Sequence, residues 1–145
     1  MMEELLALMR EHGVTSIHDT LGIEVVEANA TRVVLSLEVS ERVHQFTRIL
    51  HGGVSVVLAE SAASLGAAFN TDLSRLIPVG VEINANHLRS ISKGTIQAIA
   101  TPAHIGRQMM VWNVEIQDQR QRLICVARCT LMLRAGNAAK IIQER

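Results

Sequence analysis

Residues 52–69 read Gly-Gly-Val-Ser-Val-Val-Leu-Ala-Glu-Ser-Ala-Ala-Ser-Leu-Gly-Ala-Ala-Phe, with Glu60 as the single charge and no polar side at helical spacing. A helix that is apolar or small all round has to be enclosed on most sides. Its Ala59, Ala62, Ala63, Gly66, Ala67 and Ala68 let other backbones approach closely. The stretch carries Glu60 and several Ser and falls short of the roughly 20 apolar residues of a membrane span. It therefore predicts the buried helix of a globular domain, and whatever surrounds it must supply the enclosure.

The rest of the chain reads mostly as strands. Residues 22–28 and 32–39 form two of them around Asn29, the second alternating Val33, Leu35, Leu37 and Val39 against Arg32, Ser36 and Glu38. Four longer segments follow at 79–89, 94–103, 109–118 and 123–133. The turns between them, at 92–94, 104–106 and 118–121, are short, which implies antiparallel pairing. An amphipathic helix over 2–12, ended by Gly13, precedes these elements, and 135–145 reads as a tail. The expected class is α+β: a curved antiparallel sheet wrapped around one central apolar helix, as one domain over 1–145.

Composition narrows the function. Hydrophobic residues are 48% of the chain, and 14 Lys+Arg balance 14 Asp+Glu. Disorder is excluded, and so is a basic nucleic-acid surface. Zero net charge offers little repulsion between copies, which favours self-association. Residues 1–6 are acidic where a signal peptide is basic, so no targeting segment is expected and the setting is cytoplasmic. Cys125 and Cys129 would lie on one strand face about 13 Å apart, too far for a disulfide. The six His show no ligand spacing, so no metal is expected. The Gly-x-Ser-x-Gly elbow fails at Val57, and no dinucleotide or phosphate loop is present.

Chemistry concentrates in 45–64. Glu60 sits in a helix without a polar face, so its carboxylate is expected to be partly buried, and perturbed carboxylates are enriched at active sites. Ser64 lies one turn on, on the same face. Gly52 and Gly53 open the helix where first-turn N–H groups are unpaired and suit an anion or a developing oxyanion. His51, just before them, reads as an N-cap or core histidine. Gly52 and Glu60 are eight residues apart, about 12 Å along a helix. One copy of the helix is too long to bring both to one reacting carbon, whereas two antiparallel copies could. An enzyme built this way is an obligate dimer.

The run 50–61, Leu-His-Gly-Gly-Val-Ser-Val-Val-Leu-Ala-Glu-Ser, followed by Gly-Val-Glu-Ile-Asn-Ala-Asn-His-Leu-Arg at 80–89, resembles the hotdog-fold acyl-CoA thioesterases. The likeness is to the branch of the 4-hydroxybenzoyl-CoA, 1,4-dihydroxy-2-naphthoyl-CoA and enterobactin-pathway proofreading thioesterases, and it covers about 14–133. The resemblance implies Glu60 as nucleophile or general base and the N–H of Gly52, or of Gly53, as the oxyanion donor. It implies Gln45 as the amide orienting the thioester, His51 as a neighbour of the leaving group and Ser64 as the residue positioning water. His87, Arg89 and Arg107 fall where the family meets the CoA nucleotide and phosphates, with Gly53 beside them. No cofactor is implied beyond coenzyme A as part of the substrate. Partners would be acyl-CoA, an acyl-carrier protein and further copies of the chain, as a homodimer and, by family habit, a homotetramer.

The chain departs from that pattern in two places. Relatives carry Gln-Pro-Phe-Gly before the His-Gly-Gly, where this chain has Gln45-Phe46-Thr47-Arg48, so the loop beside the acyl pocket is expected to move. With no Tyr and two Phe, the pocket is expected to be aliphatic, with Met109, Met110 and Met132 among its lining. Two other classes compete with hydrolysis. A hotdog β-hydroxyacyl dehydratase would need a proline-bearing loop and an earlier carboxylate, and a non-catalytic acyl-CoA binder would not need the set Gln45, His51, Gly52, Glu60 and Ser64.

Overall fold

The computed structural model describes residues 2–144. In chain order the elements are α1 (Met2–Glu11), α2 (Ile17–Leu21), β1 (Glu24–Ala28), β2 (Val33–Val39), α3 (Gly52–Phe69), β3 (Leu76–His87), β4 (Gly94–Ile105), β5 (Met109–Asp118), β6 (Leu123–Ala135) and α4 (Ala138–Gln143). A single 3-10 turn, Glu41–Val43, stands between β2 and α3.

All six strands form one antiparallel sheet in the order β1-β2-β4-β5-β6-β3. The predicted alternation sets its inner face. Leu35 stands opposite Ala98, Ala98 opposite Ile116, and Ile116 opposite Cys125, all with no exposed surface. The central helix α3 packs across the sheet and touches every strand. It is long and apolar enough to cross a membrane by length and composition alone, but these contacts make it the core helix of the domain. Leu58, Ala59, Ala62, Ala63 and Ala67 are fully buried on its inner side. Gly66 permits the closest approach, because a Cβ there would collide with the six-membered ring of the buried Trp112.

The sheet has two unlike edges. β1 is five residues long, whereas β3 is twelve residues long with Val79 and Val81 exposed. Among the described residues each of these two edge strands pairs on one side only. A bulge at Val81 interrupts the pairing of β3 with β6 between Gly80 and Glu82.

The structure corrects the sequence reading in several places. Residues 17–21, for which the sequence predicts no element, form α2. A capping box starts it, Ser16 accepting from the His18 N–H while Asp19 accepts from the Ser16 N–H, and Gly22 ends it in the left-handed conformation at φ 74°. The first strand therefore begins at Glu24. β3 starts and ends earlier than expected, at Leu76 and His87, β4 and β6 each run two residues further, to Ile105 and Ala135, and the tail after Ala135 carries α4, capped by the Asn137 side chain. In α1 the backbone matches the expected helix, but the side chains of Leu5 and Leu6 lie outside the described residues, as do residues 1 and 145. Cys125 and Cys129 are buried free thiols on the inner face. Desolvation pushes the Cys129 thiol up to about 11, with Glu60 and Glu82 adding to the shift.

Candidate active site

The entry to α3 is built by its own sequence. The chain leaves the 3-10 turn, makes a tight loop over 44–50 and enters the helix at His51. Gln45 N–H donates to the Ile49 carbonyl at 2.9 Å, and Arg48 N–H donates to the Gln45 carbonyl at 2.9 Å. Arg48 takes a left-handed φ of 61°, the backbone a glycine serves without strain. The loop that departs from the family's Gln-Pro-Phe-Gly thus keeps a glycine-like turn with Arg at its last position. Phe46, at the tip, is 95% exposed. The Leu50 N–H donates to the Ile91 carbonyl at 2.7 Å, which fixes the loop to the segment after β3.

His51 is the N-cap. Its Nδ1 accepts from the Gly53 N–H at 2.9 Å, and its carbonyl accepts from the Val54 N–H at 2.9 Å. The proton of a neutral His51 therefore sits on Nε2. Of the two glycine N–H groups, that of Gly53 is taken by the cap. That of Gly52 precedes the helix's own ladder and has no partner among the described residues. His87, at the end of β3, lies against Gly52: a Cβ there would be 2.9 Å from its Nε2. Gln45, Gly52, Ser55, His87 and Arg89 line one cavity of 320 Å³ at this helix entrance. Inside it Gln45 also holds its own loop, Nε2 donating to Thr47 Oγ1 at 2.9 Å.

Glu60 opens elsewhere. It is half-buried and lines a second depression, of 500 Å³, with Ser61 and Ser64 on α3 and His18 on α2. Ile17, Val57 and Leu65 make the rest of that wall apolar. Gly80 of β3 makes room for the carboxylate, since a Cβ at this position would collide with Glu60 Oε1. Glu60 and Ser64 thus share one opening, as their spacing predicts. Neither shares it with Gly52, which matches the eight-residue separation, about 80° around the helix as well as about 12 Å along it.

Arg107 stands in a third depression with His104, Gly106 and Met109, apart from Arg89 in the single chain. The expected methionine lining is corrected here. Met110 is a core residue, and Met109 and Met132 pair with each other across β5 and β6 and are each more than 40% exposed. The aliphatic wall beside Glu60 comes instead from Ile17, Val57 and Leu65. His18 was missed by the sequence reading, because residues 14–21 lack the length of a periodic helix. The Ser-x-x-Asp pattern at 16–19 is the signal that could have revealed α2. Among the described residues no group of three His, Cys, Asp or Glu side chains is placed to hold a metal ion.

Residues 48–125, from the loop through the start of β6, match the family described as the thioesterase superfamily. The chain belongs to that superfamily. A 1,4-dihydroxy-2-naphthoyl-CoA hydrolase of Listeria monocytogenes is 46% identical over 118 residues, covering 81% of this chain and 95% of that one. A mutant thioesterase from Pseudomonas aeruginosa superposes with a TM-score of 0.83 at 36% identity, covering 92% of this chain and 94% of its own. A thioesterase from Haemophilus influenzae does so with a TM-score of 0.80 at 35% identity, covering 88% of each chain. The sheet wrapped on α3 is therefore the hotdog fold, and the enzyme is a thioester hydrolase.

Proposed function

We propose that this thioesterase hydrolyses acyl-CoA thioesters at a site shared by two copies of the chain, with Glu60 of one copy facing Gly52 of the other. The observation that carries this reading is the separation of the two openings along α3, each holding half of what the reaction needs. Glu60, with a water held by Ser64, acts as the general base. It takes the proton, the resulting hydroxide attacks the thioester carbon, and the carbonyl oxygen becomes an oxyanion that accepts from the free Gly52 N–H. When the carbon–sulfur bond breaks, the proton on Glu60 returns to the leaving thiolate. Gln45 orients the thioester, and His51, with Nδ1 occupied by its cap, turns Nε2–H toward the leaving group. His87 and Arg89, with Gly53 beside them, meet the CoA, and Arg107 meets its phosphates from a neighbouring copy.

The open edge of β3 supports the dimer. A twelve-residue edge strand with exposed Val79 and Val81 invites continuation of the sheet by a second copy. That pairing sets β3, and with it Gly80 and Glu60, at the seam. The buried free thiols of Cys125 and Cys129 suit a reducing cytoplasm. The L. monocytogenes relative is named for a dihydroxynaphthoyl-CoA, which makes aromatic acyl-CoAs the first substrates to try. The aliphatic wall at Ile17, Val57 and Leu65 argues for including straight-chain acyl groups. A thiol-release assay over short, long and aromatic acyl-CoAs and matched carrier-protein thioesters is the test. Release from CoA thioesters by the wild-type chain supports the reading, and release from carrier-protein thioesters alone refutes it.

A further inference from the structure

The second depression contains a polar group that hydrolysis as described does not use. His18, on α2, lines the same opening as Glu60, and its imidazole makes no hydrogen bond among the described residues. The position of this ring is closely determined. The capping box at Ser16 and Asp19 fixes the start of α2, and the His18 carbonyl accepts from both the Gly22 N–H at 2.8 Å and the Ile23 N–H at 2.9 Å. A five-residue helix tied at both ends presents Ile17 and His18 to the α3 residues Val57, Ser61 and Leu65. Burial pushes the imidazole below its ordinary range, against a smaller pull upward from Asp19, so the ring is neutral near pH 7. A neutral imidazole offers one donor and one acceptor.

Resting on the reading that Glu60 faces the thioester, we propose that His18 is a specificity-determining residue that hydrogen-bonds a hydroxyl carried by the acyl group. Ile17, Val57 and Leu65 make one side of the wall apolar, so an unsubstituted acyl group seated against them would leave the ring unpaired, at a cost in affinity and rate. A hydroxyl can accept from the ring or donate to it, and either tautomer serves. A carboxylate on the acyl group is disfavoured by the nearby negative charge of Glu60. The 500 Å³ of the opening is enough for a single ring.

A matched pair of probes tests this directly: 4-hydroxybenzoyl-CoA and benzoyl-CoA, which differ by one hydroxyl, assayed for kcat/KM on the full chain. The wild-type enzyme is expected to favour the hydroxylated probe by about tenfold, the effect of one exposed-site hydrogen bond. His18→Leu is expected to bring that ratio close to one, lowering turnover of the hydroxylated probe and raising that of benzoyl-CoA as the unpaired ring is removed, and His18→Gln to restore part of the ratio. The bonds that tie α2 use the His18 backbone, so thermal unfolding of both variants should match wild type. Overturning results are a wild-type ratio near one, an unchanged ratio in His18→Leu, or an equal loss on both probes. Failure of the underlying reading looks different: Glu60→Gln would then retain hydrolysis of both probes, whatever His18 does.

Discussion

At the entrance to α3 the surrounding polar groups are largely tied to one another before any substrate arrives. Gly53 N–H is held by His51 Nδ1, Gln45 Nε2 by Thr47 Oγ1 and Leu50 N–H by the Ile91 carbonyl, leaving the Gly52 N–H open. Two turns along the same helix the arrangement is inverted. In the depression around Glu60 none of the side chains of His18, Glu60, Ser61 and Ser64 hydrogen-bonds another of the described residues. In the first region the loop and the helix cap are tied down, and the open backbone donor is the Gly52 N–H. The second is a set of side chains left without partners among the described residues. Under the proposed reaction the difference has a use: a preorganised backbone donor needs no rearrangement when charge develops on the carbonyl oxygen, whereas a base that exchanges a proton is better left free of structural bonds.

The largest effect should come from the second region. Glu60→Gln keeps the shape and removes the base, and should lower kcat by about 10²–10⁴-fold in a thiol-release assay while leaving the oligomer and its melting unchanged. Comparable turnover in this variant would dismiss Glu60 as the base. In the first region Gly52→Pro removes the open backbone N–H at a position where proline suits a helix start, and His51 before it is already extended at φ −67° and ψ 127°; Gly52→Ala, which keeps the N–H but brings the same Cβ against His87 Nε2, is the control for that contact. The expected loss for the proline variant is about 10²–10³-fold in kcat with the helix intact by circular dichroism. Mixing the two inactive variants joins the regions. If Gly52 and Glu60 meet across a two-fold axis, heterodimers carry one intact site and co-refolded mixtures recover about a quarter of wild-type activity. No recovery, with mixed dimers demonstrated, would place both halves in one chain.

Two glycines separate stability from catalysis. Gly66 faces the rigid, buried Trp112, so Gly66→Ala forces backbone or indole to shift and should cost about 1–3 kcal/mol. That is several degrees in Tm for a domain of this size. At Gly80 a methyl group meets the flexible end of Glu60. Gly80→Ala should therefore melt within a degree or two of wild type yet lose turnover, because the carboxylate is what gives way. Loss of stability in both variants alike would mean that Glu60 is also held structurally.

The same contrast explains what could be read from the sequence. Strand alternation and the apolar run at 52–69 exposed the fold, because burial imposes a period on every residue of an element. The helix entrance was equally legible, since His-Gly-Gly before an apolar run states its own capping chemistry. Residues that meet only in three dimensions were not. His18 beside Glu60, Gly80 under its carboxylate and Gly66 against Trp112 depend on how elements cross, and no spacing in the chain encodes that crossing. Methionines 109, 110 and 132 were assigned to the pocket on composition, but their positions on β5 and β6 send one inward and two outward.

The smallest effect concerns α2, the lip of the second region. Asp19 accepts from the Ser16 N–H at 2.7 Å and from the Ser16 hydroxyl at 3.0 Å, bonds that hold its carboxyl below the ordinary carboxylate value. A carboxylate with a depressed folded pKa contributes stability above its unfolded pKa, near 3.9, and loses it as pH falls through the folded value. Asp19→Asn should therefore lower the urea midpoint slightly at pH 7 and pH 5, and the difference from wild type should shrink as pH falls below the unfolded carboxylate pKa and through the lowered folded one. Because Asp19 is exposed and touches only the start of α2, the helix entrance should not register the change. Turnover of benzoyl-CoA at pH 7 should stay near wild type, while the preference for the hydroxylated probe weakens as His18 gains freedom. A Asp19→Asn variant that slowed both probes equally would show that α2 also supports the region around Gly52, and the two halves of α3 would then be coupled rather than independent.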